Sequence, residues 1–349
     1  MKLLAIGDLY IPAEFMEAGY KELADAGVDV VVRQWHHDTL ADLQKDNLAV
    51  EQGGPEAVKL PPELIHDVAD YEIISGQFPP IGRDVIDAAR KLKVLAVLRG
   101  GVENVAAEYA AERGIAVFNT PGRNARAVAE FTLGVILAEI RNIARAHAAL
   151  QQATWRKDFP NSEYIPELYG KTVGLVGYGH VGFLVAGYLQ AFGSRIVAYD
   201  PYVRGDTAPA ELVDLPTLLT ESDVVSVHAR LTDESHHLIG EAELAMMKPS
   251  AVLINTARSG LVDEQALIGA LQAGRIKGAA VDVFDEEPLC ADHPFLKLDN
   301  VTLTPHLAGS TKDAFANSPK LMAGHLLRLL RGETDLPIVN GVPAPDLRL

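Results

Sequence analysis

Short apolar runs alternate with stretches of helical periodicity along almost the whole chain. Runs of this length, bounded by turn residues, are typical of the buried strands of a parallel sheet, and helices connect such strands. The pattern therefore predicts an α/β fold with parallel sheets. The strands predicted in the first third are Leu3–Ile6, Val28–Val32, Tyr71–Ser75, Val94–Leu98 and Ile115–Phe118. The strands predicted after them are Val173–Val176, Ile196–Ala198, Val224–Val227, Val252–Ile254, Ala279–Val283 and Val301–Leu303.

The predicted strands fall into two groups, which indicates two doubly wound units. The length of 349 residues agrees with this, since about 150 residues per domain is usual. Within the first group, residues 41–62 are polar and contain Gln-Gly-Gly-Pro and Leu-Pro-Pro. We interpret this segment as an irregular surface excursion between strands.

A long helical pattern runs from Asn124, a plausible N-cap, to about Ala149. Its centre, Phe131–Ala138, is apolar nearly all round. A helix without a polar face is buried on more than one side. Two interpretations remain: a central core helix within one subunit, or a helix wedged between the subunits of a dimer.

The segment Thr172–Gly182 carries the glycine spacing Gly177-x-Gly179-x-x-Gly182 between an apolar strand and a helical pattern. In this context the first glycine permits a tight turn, the second lets the backbone approach a pyrophosphate, and the third lets the helix pack closely. The helix N-terminus then offers free N–H groups to the phosphates. The next strand ends in Asp200, where the ribose of a dinucleotide needs an acceptor. The segment therefore predicts a Rossmann-type dinucleotide site.

Composition and net charge exclude several classes of binding partner. The 31 Lys and Arg against 47 Asp and Glu give a net charge of −16, so the surface repels nucleic acids and anionic membranes. An anionic substrate would need a local cationic pocket. The only cysteine, Cys290, leaves no intrachain disulfide and no thiol cluster for zinc, and we expect no metal site. No apolar run is long enough for a signal peptide or a membrane span, so we expect a cytoplasmic protein.

Three polar residues stand just after predicted strands: Arg258, Glu287 and His306. Ligands of open parallel sheets bind outside the carboxyl ends of the strands, so the three side chains could converge. Each alone has a plainer interpretation as a solvated or structural group. Together they suit the oxidation of a 2-hydroxy acid. A histidine can act as the base, a carboxylate can fix its tautomer, and an arginine can hold the substrate carboxylate and polarise the carbonyl.

Four motifs in sequence order resemble the D-isomer-specific 2-hydroxyacid dehydrogenases, and the resemblance covers nearly the whole chain. They are Gly-Tyr-Gly-His-Val-Gly182, Asn255-Thr-Ala-Arg-Ser-Gly-Leu-Val-Asp-Glu264, Gly278-Ala-Ala-Val-Asp-Val-Phe284 with Glu287-Pro-Leu289, and Thr304-Pro-His306. The resemblance implies a catalytic triad of Arg258, Glu287 and His306, with His306 as the acid and base. It also implies a flavodoxin-like, discontinuous substrate domain of about 1–117 plus 310–349, around an NAD-binding domain of 118–309, and a homodimer. We expect the helical region 124–149 to form the dimer interface.

The resemblance implies further contacts. The residues expected at NAD are Gly177, Gly179, His180, Val181, Gly182, Asp200, His228, Ala229, Arg230, Thr256, Ala257 and Asp282. The residues expected at the substrate are Gln77, Gly100, Gly101 and Arg258.

The substrate is less well defined. The loop Ser75–Ile81 lacks the arginines that resembling phosphoglycerate dehydrogenases use for the phosphate, and we expect Arg83 to be the only nearby cation. This weakens the 3-phosphoglycerate alternative without removing it. Arg204, soon after Asp200, leaves NADP open. A second class, a corepressor that senses NAD on the same scaffold, also remains.

Overall fold

The computed structural model describes residues 1–347, and the chain divides into two compact units. Unit 1 comprises residues 1–124 and the segment from Thr311 onwards, and unit 2 is Ala125–Ser310. Each unit is built on its own parallel sheet, so the predicted α/β class is confirmed. Every predicted strand overlaps an observed one, and among residues 1–347 only the two-residue strand at Glu211–Leu212 was not predicted.

The sheet of unit 1 has five parallel strands in the order β2-β1-β3-β4-β5, the flavodoxin-like order. Successive side chains of a strand point to opposite faces. Leu4 and Ile6 therefore enter one apolar layer, while Leu3 and Ala5 enter the other. The strands are β1 (Lys2–Gly7), β2 (Asp29–Gln34), β3 (Ile73–Gly76), β4 (Val94–Val97) and β5 (Ala116–Phe118). The helices are α1 (Ala13–Gly19), α2 (Lys21–Asp25), α3 (Leu40–Gly53), α4 (Pro62–Ile65), α5 (Arg83–Ala88), α6 (Ala107–Glu112) and, numbered in chain order, α13 (Lys312–Leu330).

The prediction of an irregular excursion at residues 41–62 is wrong for most of its length, because α3 occupies Leu40–Gly53. Thr39 caps this helix by accepting from Asp42 N–H at 3.2 Å, and the Asp42 carboxylate accepts in return from Thr39 N–H at 3.1 Å. Leu43 and Val50, two turns apart, are buried, and Leu43 packs in the same apolar layer as Leu4 and Ile6. The capping box starts the helix, and Gly53 and Gly54 lie at its C-terminal end, where glycine is common.

The sheet of unit 2 has seven parallel strands in the order β12-β11-β10-β9-β6-β7-β8. The first strand, β6, lies between β7 and β9, which is the topological switch point of a Rossmann fold. The strands are β6 (Thr172–Val176), β7 (Arg195–Tyr199), β8 (Glu211–Leu212), β9 (Val224–Val227), β10 (Val252–Asn255), β11 (Gly278–Val281) and β12 (Val301–Leu303). The helices are α7 (Ala125–Ile140), α8 (Ile143–Gln151), α9 (His180–Ala191), α10 (Leu215–Glu221), α11 (Glu241–Met246) and α12 (Glu264–Gln272).

The single long helix predicted over 124–149 is interrupted. Asn142 adopts a left-handed conformation with φ 57° and separates α7 from α8. Its buried side chain donates to Asn161 Oδ1 at 2.6 Å. Asparagine tolerates this conformation better than most residues, so it breaks the helix without a glycine.

A buried ion pair fastens α7 to the sheet of unit 2. Glu139 is 3% exposed, and the Arg145 guanidinium donates to both of its carboxylate oxygens at 2.8 Å. Thr302 of β12 donates to the same carboxylate at 2.6 Å. The pair thus anchors the strand that leads to His306.

Candidate active site

The glycine turn of unit 2 has the geometry that the sequence predicts for dinucleotide binding. Gly177 has φ +98°, and a Cβ there would lie 2.4 Å from the Ala229 nitrogen. A Cβ on Gly182 would lie 2.3 Å from the Gly177 carbonyl oxygen, so the start of α9 packs directly on the turn. Gly179, the N-cap of α9, has open space where its Cβ would be. A side chain there would fill the cradle that a pyrophosphate needs, so the residues present fit the group.

Asp200 lies at the end of β7 and joins two turns. One carboxylate oxygen accepts from Tyr178 N–H of the glycine turn at 2.9 Å, and the other accepts from Tyr202 N–H at 2.9 Å. These bonds hold the carboxylate beside the glycine turn, where a ribose acceptor is expected. Arg204 donates to its neighbour Val203 at 2.8 Å.

The segment after β9 forms the opposite wall of the glycine turn. Ala229 lies against Gly177, and Arg230 is exposed. His228 shares a hydrogen bond of 2.9 Å with Ser226, whereas its Nδ1 is buried without a partner. Burial lowers the pKa of His228 to about 4. His228 is therefore a neutral imidazole at pH 7.

The turn after β10 presents Arg258. The buried Asn255 side chain closes this turn by donating to the Arg258 carbonyl at 3.0 Å and accepting from Ala257 N–H at 3.1 Å. Thr256 is tied to Thr132 of α7 at 2.8 Å. The Arg258 side chain is exposed, and its guanidinium contacts only its neighbouring carbonyl, that of Ala257, at 2.7 Å. With no ion pair within residues 1–347, its donors are available to a substrate.

Glu287 and His306 form a hydrogen-bonded pair at the ends of the adjacent strands β11 and β12. His306 Nδ1 lies 2.8 Å from Glu287 Oε2, and the other Glu287 oxygen accepts from Phe284 N–H at 3.0 Å. The carboxylate requires a proton on Nδ1, so Nε2 is the nitrogen that can exchange a proton with a substrate. The His306 side chain is 49% exposed and thus accessible.

Asp282 holds the turn that carries His306. Its carboxylate accepts from Thr304 Oγ1 at 2.6 Å and from Leu307 and Ala308 N–H at 2.9 Å each. His306 itself has φ 52°, a conformation uncommon for a residue with a side chain. The 1%-exposed Asp282 thus stabilises a strained turn. Its predicted contact with NAD stays a prediction.

A second clamp holds the Glu287 loop, and the sequence analysis missed it. Glu264, at the start of α12, has one oxygen 3.1 Å from His293 Nε2 and accepts with the other from Asp285 N–H at 3.2 Å. Because His293 Nδ1 accepts from Phe295 N–H at 3.3 Å, Nε2 carries the proton that goes to Glu264. The sequence signal was weak: an acid in the first turn of a helix and a histidine before a proline.

The substrate residues predicted in unit 1 lie at the carboxyl ends of its strands. Gln77 follows β3 and is fully buried. Gly100 follows β4, is exposed and has open space around its Cβ position, while a Cβ on Gly101 would meet the Glu103 carboxylate. The expectation that Arg83 is the only cation nearby is wrong. Arg83 stacks on Tyr109, and the Arg99 guanidinium lies 5.4 Å from the centre of the Phe78 ring, within that loop.

Metal-binding clusters and membrane-spanning helices were both searched for in the part of the chain that the structure describes. Residues 1–347 contain no group of three metal-ligating side chains. In the same range no helix has both the length and the apolarity to span a membrane.

The fold of unit 2 and its glycine turn define a dinucleotide-binding Rossmann domain beside a histidine, carboxylate and arginine. The model of the family "D-isomer specific 2-hydroxyacid dehydrogenase, NAD binding domain" matches residues 133–308. The chain belongs to the D-isomer-specific 2-hydroxyacid dehydrogenases. The predicted family, the Rossmann fold and NAD as the cofactor are confirmed.

Relatives show the range of this family. The chain is 42% identical over 285 residues to a glyoxylate reductase of Thermofilum pendens, covering 80% of this chain and 84% of that protein. It is 41% identical over 295 residues to a D-3-phosphoglycerate dehydrogenase of Methanocaldococcus jannaschii, covering 82% of this chain but only 55% of that longer protein. The solved structure of a D-2-hydroxyisocaproate dehydrogenase matches with TM-score 0.76 at 26% identity, covering 98% of this chain and 100% of the other.

Proposed function

We propose that the protein is an NAD-dependent dehydrogenase that interconverts a small D-2-hydroxy acid and its 2-keto acid. The observation that carries the proposal is the hydrogen bond of 2.8 Å between His306 and Glu287, with Arg258 presented from the neighbouring part of the same sheet. A surface ion pair would not need the four backbone hydrogen bonds that Asp282 and Asn255 make nearby.

The proposed chemistry moves one proton and one hydride. In oxidation, His306 Nε2 takes the proton of the substrate hydroxyl group, while the hydride leaves the carbon that bears this group. Glu287 stabilises the imidazolium that forms. NAD supplies the hydride acceptor. Arg258 holds the substrate carboxylate through its planar fork and polarises the developing carbonyl. In keto acid reduction the protonated His306 gives the proton back.

The remaining expected contacts are proposals of the same kind. Gly100 and Gly101 would offer backbone N–H groups to the substrate carboxylate, and Gly100 is exposed enough to do so. Asp200 would accept from the ribose and repel a 2′-phosphate, which favours NAD over NADP. The names of the relatives support a small keto acid and keep 3-phosphoglycerate open.

Turnover tests the proposal and separates it from a corepressor, which would bind NADH without consuming it. We expect NADH-dependent reduction of small 2-keto acids, with weaker use of NADPH. His306→Asn should lower kcat by ~10²–10⁴, the usual contribution of a positioned acid or base, while the Kd for NADH changes little. His66→Asn, an exposed histidine of unit 1, is the matched control. Equal kcat in wild type and His306→Asn would remove His306 from this role.

A homodimer in the cytoplasm remains part of the proposal. Helix α8 has no buried residue in the single chain. It exposes Ile143 and Leu150, and Trp155 just beyond it is 78% exposed. Apolar side chains grouped in this way favour an interface. Sedimentation velocity would measure the state, and a monomer at micromolar concentration would contradict it.

A further inference from the structure

The loop that follows β4 in unit 1 carries two backbone N–H groups that make no hydrogen bond. The Arg99 carbonyl of this loop accepts from Thr120 N–H at 3.1 Å. The Gly100 carbonyl accepts from the Asn119 side chain at 2.6 Å. In the described part of the chain, the N–H groups of Gly100 and Gly101 donate to no other group. Because the carbonyls are held and the N–H groups are not, the loop keeps its donors available for an anion.

A carboxylate of the same loop lies beside these donors. A Cβ on Gly101 would collide with both carboxylate oxygens of Glu103, so this carboxylate packs against the Gly101 backbone. The Glu103 side chain is 49% exposed and is therefore able to rotate. An anionic substrate group that approached the two N–H groups would meet a like charge unless a cation compensated Glu103.

Arg99 is the cation that compensates Glu103. Its Nη2 lies 3.2 Å from a Glu103 carboxylate oxygen, and the same nitrogen donates to Glu51 of α3 at 2.8 Å. Its other terminal nitrogen donates to the Asn47 side chain of α3 at 3.2 Å, and only 17% of the Arg99 side chain is exposed. The guanidinium is thus fixed between two carboxylates, and it holds the Glu103 carboxylate at its side.

No other cation among residues 1–347 forms an ion pair with Glu103. Burial and, after it, the charge of Arg99 lower the pKa of Arg123 to about 10, so these two cations are near each other. The Arg123 guanidinium nevertheless donates to Ser318 Oγ at 3.3 Å and does not pair with Glu103. Removal of Arg99 would therefore leave the Glu103 carboxylate without a partner, beside two free N–H groups.

We propose that Arg99 acts on substrate binding through Glu103. It holds and neutralises this carboxylate, which would otherwise compete with the substrate carboxylate for the two N–H groups of the loop. Arg99 is thus a positioning residue and does not itself contact the substrate. The inference rests on the proposed function, in which Gly100 and Gly101 receive the substrate carboxylate. On a chain of net charge −16, no diffuse positive field offsets an unpaired carboxylate, so the compensation must be local.

Steady-state kinetics of glyoxylate reduction with NADH tests the inference. Arg99→Gln should raise the KM for glyoxylate about 10-fold, because the unpaired Glu103 opposes the substrate carboxylate. The kcat should stay within about twofold, since the N–H groups hold the carboxylate equally before and during the reaction. Adding Glu103→Gln to Arg99→Gln should return KM to within about threefold of wild type. A loop that Arg99 merely fastened would not be rescued in this way.

Glu51→Gln is the matched control. It also removes an ion pair of Arg99, and it loosens the same loop from α3. It leaves the pair between Arg99 and Glu103 in place, so KM should not rise. Equal rises in KM for Arg99→Gln and Glu51→Gln would overturn the inference, as would a double variant that is no better than Arg99→Gln. In both cases the turnover of the wild type would leave the proposed function intact.

Binding without turnover gives an independent measurement. Oxamate, an unreactive analogue of a small 2-keto acid, is titrated by calorimetry in the presence of NADH. It should bind Arg99→Gln about 10-fold more weakly than wild type, and the double variant with Glu103→Gln like wild type. At about 0.5 M salt the difference should shrink, because its cause is a charge at an exposed site. A difference that salt leaves unchanged would refute the inference. Wild type that neither binds oxamate nor reduces any keto acid would refute the proposed function as well.

Discussion

The Glu264–His293 clamp yields the sharpest prediction, because it acts on catalysis without reaching the substrate. Both partners of the Glu264 carboxylate are donors: His293 Nε2–H at 3.1 Å and Asp285 N–H at 3.2 Å. In Glu264→Gln the amide oxygen can accept from one donor, and the amide NH₂ faces the other. Losing a hydrogen bond to a carboxylate costs about 1.5–3 kcal/mol locally. The loop that carries Glu287 should therefore shift.

The expected kinetic effect follows from that shift. Glu287 fixes His306 through a hydrogen bond of 2.8 Å, and misplacement of a catalytic group by ~1 Å can cost about 10²-fold. We expect Glu264→Gln to lower kcat for keto acid reduction about 10- to 100-fold. The Kd for NADH, measured by fluorescence titration, should change by less than about threefold, since the glycine turn lies on other strands. Glu243→Gln is the matched control, because its carboxylate also accepts from a backbone N–H, that of Gly240, at 3.0 Å.

A double-mutant cycle distinguishes positioning from general destabilisation. If Glu264 acts through Glu287, adding Glu264→Gln to Glu287→Gln should cost little more, and the coupling between the two should exceed about 1 kcal/mol. Independent, additive losses in kcat would refute the reasoning, as would an equal loss in Glu243→Gln. His293→Gln, which removes the other half of the clamp, should reproduce the kcat effect.

Two further predictions concern each unit separately. Gly177→Ala places a Cβ 2.4 Å from the Ala229 nitrogen at φ +98°, so it should raise the Kd for NADH more than tenfold. Gly187→Ala in α9 is the control, because its Cβ would enter open space and should leave this Kd unchanged. Equal Kd values for NADH in the two variants would contradict the prediction. Burial raises the pKa of Asp8 from 3.8 to about 6, so the folded state holds its proton more tightly and stability is lost as pH rises through 4–6. Asp8→Asn should remove this loss, gaining up to about 3 kcal/mol over wild type above pH 6.5 in urea unfolding, and a constant difference from pH 4 to 7 would refute it.

The parts of the molecule that local sequence determines were predictable. The glycine turn needs only neighbouring residues, because the close approach of Gly182 to Gly177 lies within one turn. The strands of two parallel sheets are marked by their own apolar runs. The same runs drew attention to Arg258, Glu287 and His306 as candidates, because these residues follow predicted strands. Helix α3 was not predicted, although its cap at Thr39 is also local. The polar character of the segment and its glycines, Gly53 and Gly54, indicated an irregular loop.

The parts that depend on distant chain segments could not be predicted from the sequence. The surroundings of Arg123 could not be predicted, because they follow from the folding of α13 against it, which supplies Ser318 and Phe315. Gln77 was chosen for its place after a strand, but its significance is that it is buried and unpaired, which is a property of the packed structure. The clamps of Asp282 and Glu264 likewise join residues far apart in the sequence, and only the folded structure shows which backbone groups they hold.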